Sequence, residues 1–201
     1  MRNFVAVLGT LIVVTLTAGG LRAEPISTED ALADKVMGSA DAPIEIIAYE
    51  SMTCPHCATF HQNAWHEIKA KYIDTGKARF IFRDFPFDAI GLRATMMARC
   101  TGDKRFFGVI EILFKSQTQW ARAEDPMQAL AGIGRLAGLS AADFDACMAN
   151  QALMDGILVG RQTAEREFDV SSTPSFIING IKVVGAQPFE EFDKVLAPMA
   201  E

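Results

Sequence analysis

Ile44-Glu45-Ile46-Ile47-Ala48-Tyr49, then Thr53-Cys54-Pro55-His56-Cys57, is the stretch on which the fold turns. The first six residues are β-prone, follow Pro43, and predict a buried strand. Proline has no N–H to lose at the first helical position, and its φ is already near the helical value. Pro55 is therefore read as the first residue of a helix and Cys54 as its N-cap. Cys57, His61, Ala64, Ile68 and Tyr72 recur at three- and four-residue spacing and carry the helix on to about Thr75, with Gly76 placed for a C-cap. Ala78-Arg79-Phe80-Ile81-Phe82-Arg83 is the next strand. Strand, helix and strand in so short a span form a βαβ unit with parallel strands and a right-handed crossover.

Downstream the period changes. From Asp88 to Phe168 no strand-like run occurs, and helices are predicted near 89–101, 103–118, 126–137, 141–150 and 152–167. Asp125-Pro126 and Gly138-Leu139-Ser140 mark helix boundaries. Ser140 is placed to cap a helix, with Asp143 at the capping-box position. The β signal then returns in Ser175-Phe176-Ile177-Ile178 and Ile181-Lys182-Val183-Val184. Between them, Asn179-Gly180 is a strong hairpin signal. A last helix runs from about Pro188 to Leu196. The fold class is α/β: a small mixed sheet in the order β-α-β, helical block, β-β-α. Its expected parts are 43–87 and 168–201, with a helical insertion at 88–167. Residues 24–42 lack a strong period and read as an N-terminal arm.

Half of the 201 residues are apolar, enough for one sizeable core, and 22% are charged, which argues against wholesale disorder. A net charge of −6 without any Lys/Arg-rich run argues against a nucleic-acid partner. Met1-Arg2-Asn3, the uncharged stretch from Phe4 to Gly20, and Leu21-Arg22-Ala23 have the layout of a secretory signal peptide cleaved near Ala23. A retained membrane anchor is the alternative, at the lower length limit for a span. Cleavage removes Arg2 and Arg22 with no acid, taking the net charge to −8. The expected location is periplasmic. The even set Cys54, Cys57, Cys100 and Cys147 in an exported chain then reads as disulfide-forming.

A thiolate at the Cys54 N-cap faces the free N–H groups of the first turn and the positive end of the helix dipole, and a protonated His56 adds a second positive charge. Both lower its pKa. A drop to ~3.5 stabilises the reduced form at pH 7 by ~4.7 kcal/mol, against ~2 kcal/mol for closing the four-residue ring, so the disulfide should be easy to reduce. Two other readings of the pair stay open. One is a metal site from Cys54, Cys57, His61 and His66; the other is a plain structural disulfide.

Cys54-Pro55-His56-Cys57 after the first strand, Val170-Ser171-Ser172-Thr173-Pro174 before the hairpin, and the helical block between them together resemble the DsbA-like proteins of the thioredoxin fold. The resemblance covers about 41–197. It implies a protein disulfide oxidoreductase that needs no cofactor or metal. Its substrates would be unfolded or reduced exported proteins. A DsbB-like membrane quinone reductase would recharge it, and it would act as a monomer. On that resemblance Cys54 is the nucleophile, Cys57 the buried resolving cysteine, and Pro55 and His56 tune the potential. Thr173-Pro174 is the cis-proline loop that pairs with substrate backbone. Without it, Pro174 reads as an ordinary trans turn. Phe85-Pro86-Phe87 matches the entry to the helical lobe. Cys100 and Cys147 match a second, structural disulfide closing a loop of 48 residues, worth ~4 kcal/mol; two buried free thiols are the alternative.

The family places a buried acid at the position of Ala48. Here the acid is Glu50, on the same strand face, where it is either a proton relay below Cys57 or a solvated acid at the strand end. His61 reads as a core histidine, and Trp65, Phe106, Phe107 and Trp120 as packing. A disulfide isomerase or reductase of the same fold, and a zinc-binding or structural exported domain, are the competing functions.

Overall fold

The computed structural model describes residues 26–200. The expected signal peptide therefore lies outside the described residues. Among those described, no helix is long and apolar enough to cross a membrane.

Ser27 accepts a hydrogen bond from the Asp30 N–H and caps a short helix, α1 (Thr28–Leu32). The strand β1 (Lys35–Met37) follows, then β2 (Ile44–Glu50), α2 (Pro55–Gln62), α3 (Ala64–Ile68), a π-helical turn (Lys69–Ile73) and β3 (Ala78–Asp84). Six helices come next: α4 (Ala89–Cys100), α5 (Asp103–Lys115), α6 (Gln117–Ala121), α7 (Pro126–Leu136), α8 (Ala141–Ala149) and α9 (Gln151–Glu167). The chain closes with β4 (Ser175–Ile178), β5 (Ile181–Val184) and α10 (Phe189–Leu196).

The five strands form one mixed sheet in the order β1-β3-β2-β4-β5. β2 and β3 are parallel, in register from Ile44 with Ala78 to Glu50 with Asp84; the other pairs are antiparallel. The β4–β5 hairpin turns at Asn179 and Gly180, both with positive φ, as the Asn-Gly signal requires. Gly76 also takes a positive φ, 74°, at the end of the helical segment before β3.

Three expectations are corrected. The part of the expected N-terminal arm that is described, residues 26–42, does not merely lead into the fold but belongs to it. β1 pairs antiparallel with β3 and forms a sheet edge, and α1 buries Ala31 against α9 and α4. A three-residue strand is too short to show a period. Its Lys35 is buried, donating to Asp103 Oδ1 at 2.6 Å and to the Asp30 carbonyl at 2.8 Å, which inverts the usual reading of a lysine. Second, the helix from Pro55 is not continuous. It breaks at Asn63 (φ −117°, ψ −92°), a residue whose side chain competes for backbone hydrogen bonds. Third, the segment expected at 103–118 splits at Ser116, whose hydroxyl donates to the Ile112 carbonyl.

Other local signals hold. Pro126 opens α7 behind the Asp125 cap, and Ser140 caps α8 by accepting from the Asp143 N–H. A continuous core runs from the sheet into the helical lobe. Trp65, Phe80 and Phe82 on one side meet Phe106, Leu113, Phe114 and Trp120 on the other. Phe107 is only partly buried against it. At the lobe entry Phe85 is buried, Phe87 is half exposed, and Arg161 lies over both rings while donating to the Pro86 carbonyl.

Candidate active site

β2 delivers the chain to a loop that ends at Cys54, the N-cap of α2, with Pro55 at its first position. The loop is held on two sides. Thr53 donates its hydroxyl to Asp88 at 2.6 Å, and the amide of Gln117 donates to the carbonyls of both Met52 and Cys54 at 2.9 Å. Neither partner was apparent from the sequence, since a single Gln or Asp on a helical lobe carries no local signal.

Cys54 is partly exposed, Cys57 is fully buried, and neither is in a disulfide. The Thr173–Pro174 peptide bond is cis and places the Thr173 carbonyl against Cys54, whose thiol donates to it at 3.3 Å. Thus Cys54, Cys57, Thr173 and Pro174 come together from sequence positions over a hundred residues apart. Pro55 and His56 are exposed beside them.

The two sulfurs differ sharply. The Cys54 pKa falls to about 5, chiefly because the Cys57 thiol donates to its sulfur. The Thr173 hydroxyl and the backbone N–H groups of Cys57 and His56 add smaller effects, while burial opposes them. This reorders the expected causes. The neighbouring thiol leads, and His56 contributes through its main-chain N–H. The depression is also smaller than the value of ~3.5 assumed from the motif. Cys57 moves the other way, pushed well up by burial first, then by its hydrogen bond to Cys54 and by the charge of Glu50.

Glu50 is not a solvated acid at a strand end. It is 0% exposed, because the end of β2 runs under α2 instead of emerging. Its Oε2 lies 2.9 Å from His61 Nε2, and Phe114 stacks on the imidazole at 4.3 Å. His61 is thus buried, as expected of a core histidine, but it is also the partner of Glu50. The structure does not bring Cys54, Cys57, His61 and His66 into one ligand set. Among the described residues no group of three or more His, Cys, Asp or Glu side chains is arranged to hold a metal ion. Cys100 and Cys147 form a disulfide joining α4 to α8.

The profile of the family described as Thioredoxin matches residues 30–197. A Rickettsia bellii protein named as a protein-disulfide oxidoreductase is 32% identical over 150 residues, which are 74% of this chain; the chain spans 58% of that relative's length. The crystal structure of Wolbachia pipientis α-DsbA1 superposes with a TM-score of 0.78 at 33% identity, covering 83% of this chain and 90% of that one. A protein-disulfide isomerase from Novosphingobium aromaticivorans superposes with a TM-score of 0.72 at 25% identity, covering 84% of this chain and 98% of that one.

Proposed function

The chain belongs to the thioredoxin family in its DsbA-like form, and on that premise we propose that it is an exported oxidase of protein dithiols. One observation carries this reading: Cys54, at the open side, is held as an anion at neutral pH, while Cys57 behind it is held as a buried thiol.

Starting from the oxidised pair, a substrate thiolate attacks Cys54 Sγ. A substrate–Cys54 bond forms, the Cys54–Cys57 bond breaks, and its electron pair goes to Cys57, which takes up one proton. A second substrate thiolate then attacks the substrate sulfur of the mixed disulfide, and Cys54 leaves as a thiolate. A low-pKa thiol leaves readily, so the second step runs toward substrate oxidation. The substrate loses two electrons and two protons; Cys57 keeps one proton and the other passes to solvent. Pro55 starts the helix that orients both sulfurs. The Thr173 backbone beside Cys54 is placed to pair with an extended substrate segment. Glu50, buried and acting on Cys57 through its charge, is the candidate proton relay. In the periplasm the substrates are reduced, unfolded exported proteins, and a DsbB-like quinone reductase restores the disulfide of a monomeric enzyme.

The test is oxidation of reduced, unfolded ribonuclease by the oxidised protein. Stoichiometric loss of substrate thiols is expected, and none with Cys54→Ser; wild-type rates in that variant refute the reading. The Novosphingobium neighbour, named an isomerase, motivates a second reading. Reactivation of scrambled ribonuclease faster than oxidation of the reduced form would favour it.

A further inference from the structure

We propose that Gln117 is a positioning residue for disulfide exchange at Cys54. From the helical lobe, its single side-chain amide aims the carbonyls of Met52 and Cys54 away from the Cys54 sulfur and so sets how readily the Cys54–Cys57 bond is reduced. This deepens the oxidase reading above by naming a residue that tunes the exchanging pair from outside it.

Three observations carry it. First, the lobe grips three consecutive residues of the redox loop. Gln117 Nε2 donates to the Met52 and Cys54 carbonyls at 2.9 Å each, so both of its hydrogens are spent on the loop. Between them the Thr53 hydroxyl donates to Asp88 Oδ2 at 2.6 Å, and the other oxygen of Asp88 accepts from the Gly91 N–H at the start of α4. The fit is close, because a Cβ at Gly91 would stand 2.9 Å from Thr53 Oγ1. Second, Gln117 has no substitute. It is 7% exposed, and Met52 is 0% exposed. Among the described residues the Met52 carbonyl has no other donor, and that of Cys54 has besides Gln117 only the Ala58 N–H, at 3.3 Å. A buried carbonyl without a donor lowers stability, so loss of the amide would make the loop turn. A neutral group with two hydrogens suits two neighbouring carbonyls, whereas Lys or Arg would bring an unpaired charge into a buried place. The short helix α6 that carries Gln117 is itself fixed, by Trp120 Nε1 donating to the Leu113 carbonyl of α5 at 2.8 Å. Third, the carbonyls and the sulfur have separate partners. The sulfur faces the Thr173 carbonyl, the Cys57 thiol and the N–H groups of His56 and Cys57, and Gln117 is not among its contacts. A carbonyl oxygen is the negative end of its dipole. Released from Gln117, it is free to swing toward the sulfur and oppose the negative charge there. Gln117 therefore acts on the sulfur through the main chain of the loop.

The experiment titrates the Cys54 thiolate by its ultraviolet absorbance in the reduced full-length protein, and measures the equilibrium of the pair with glutathione at neutral pH. In that equilibrium two glutathione thiols become glutathione disulfide and the Cys54–Cys57 bond takes up their two electrons. Cys54 is left as a thiolate and Cys57 as a thiol, and one of the two protons goes to solvent. Gln117→Met, which keeps the length and removes both donors, should displace the thiolate midpoint upward by about one unit and leave the disulfide about tenfold harder to reduce. Gln117→Glu, which keeps the shape and offers at most one donor, should move both readings the same way, so the test does not hang on one variant folding. Leu153→Ala, in the separate apolar cluster of α1, α4, α8 and α9, should lower unfolding stability and move neither reading. Folded Gln117 variants with the wild-type midpoint and glutathione equilibrium overturn the positioning role, as does a Leu153→Ala protein displaced as far as they are. A wild-type protein that fails to oxidise reduced ribonuclease, while its Gln117 variants shift as expected, refutes the oxidase reading and leaves the positioning role standing.

Discussion

The stability advantage of the oxidised protein over the reduced one should shrink as pH rises from mild acid to pH 8. In the reduced fold Cys54 titrates at about 5 against an ordinary value of 9.0. A group with a depressed pKa adds stability that is complete above its unfolded value and lost as pH falls through its folded one. The window here is therefore pH 9 down to 5. At pH 7 the thiolate contributes ~2.7 kcal/mol, short of the ~4.7 kcal/mol estimated from the motif alone, because the pKa is less depressed. The oxidised fold lacks that term but gains ~2 kcal/mol from its four-residue ring. Cys57 is raised, so it stays protonated throughout and cancels. Without screening, the stability of the reduced form relative to the oxidised one would rise by ~3.6 kcal/mol between pH 5 and pH 8. Water on the open side of Cys54 screens part of this, and halving the pH 5-to-8 swing leaves ~2 kcal/mol. Urea unfolding of both redox forms, followed by circular dichroism at half-unit pH steps, reads the difference directly. A reduced-minus-oxidised stability that is flat across the window would refute the thiolate argument.

Two further outcomes follow from the same geometry. Cys57→Ala removes the main donor to the Cys54 sulfur, so the ultraviolet thiolate titration of Cys54 should move to higher pH than in the wild type; an unmoved curve would mean that backbone N–H groups dominate. Replacing both Cys100 and Cys147 by Ala opens a covalent loop spanning α4 to α8 and should lower unfolding stability by ~4 kcal/mol, less if the unfolded chain is compact. Dithiol exchange at Cys54 in the surviving folded fraction should keep its rate.

What could be read from the sequence was local chemistry. Pro55 after a cysteine, Asn179-Gly180 between two β runs, and Ser140 with Asp143 each constrain a few consecutive backbone residues. Each appears in the structure as those constraints require. The long, strongly periodic helices of the lobe were legible for the same reason. What escaped depends on partners far away in the chain. Lys35 is buried because Asp103 and a carbonyl of α1 receive it, so β1 did not look like a strand. Glu50 looked like a surface acid because its partner His61 lies eleven residues on, across a strand-to-helix turn. The break at Asn63 is one residue of unusual backbone in an otherwise helical pattern, and propensity alone does not locate it.

The Gln117 amide spans the redox loop and the helical lobe, satisfying two carbonyls on either side of Thr53. Its consequence is felt in protein engineering. Trimming the insertion to obtain a minimal redox module would strand those two carbonyls, and would also take away Asp88 from Thr53 and Phe114 from His61. A shortened chain would need new donors behind Cys54 before its sulfur could be held in place. The lobe is thus part of the scaffold of the redox cysteine.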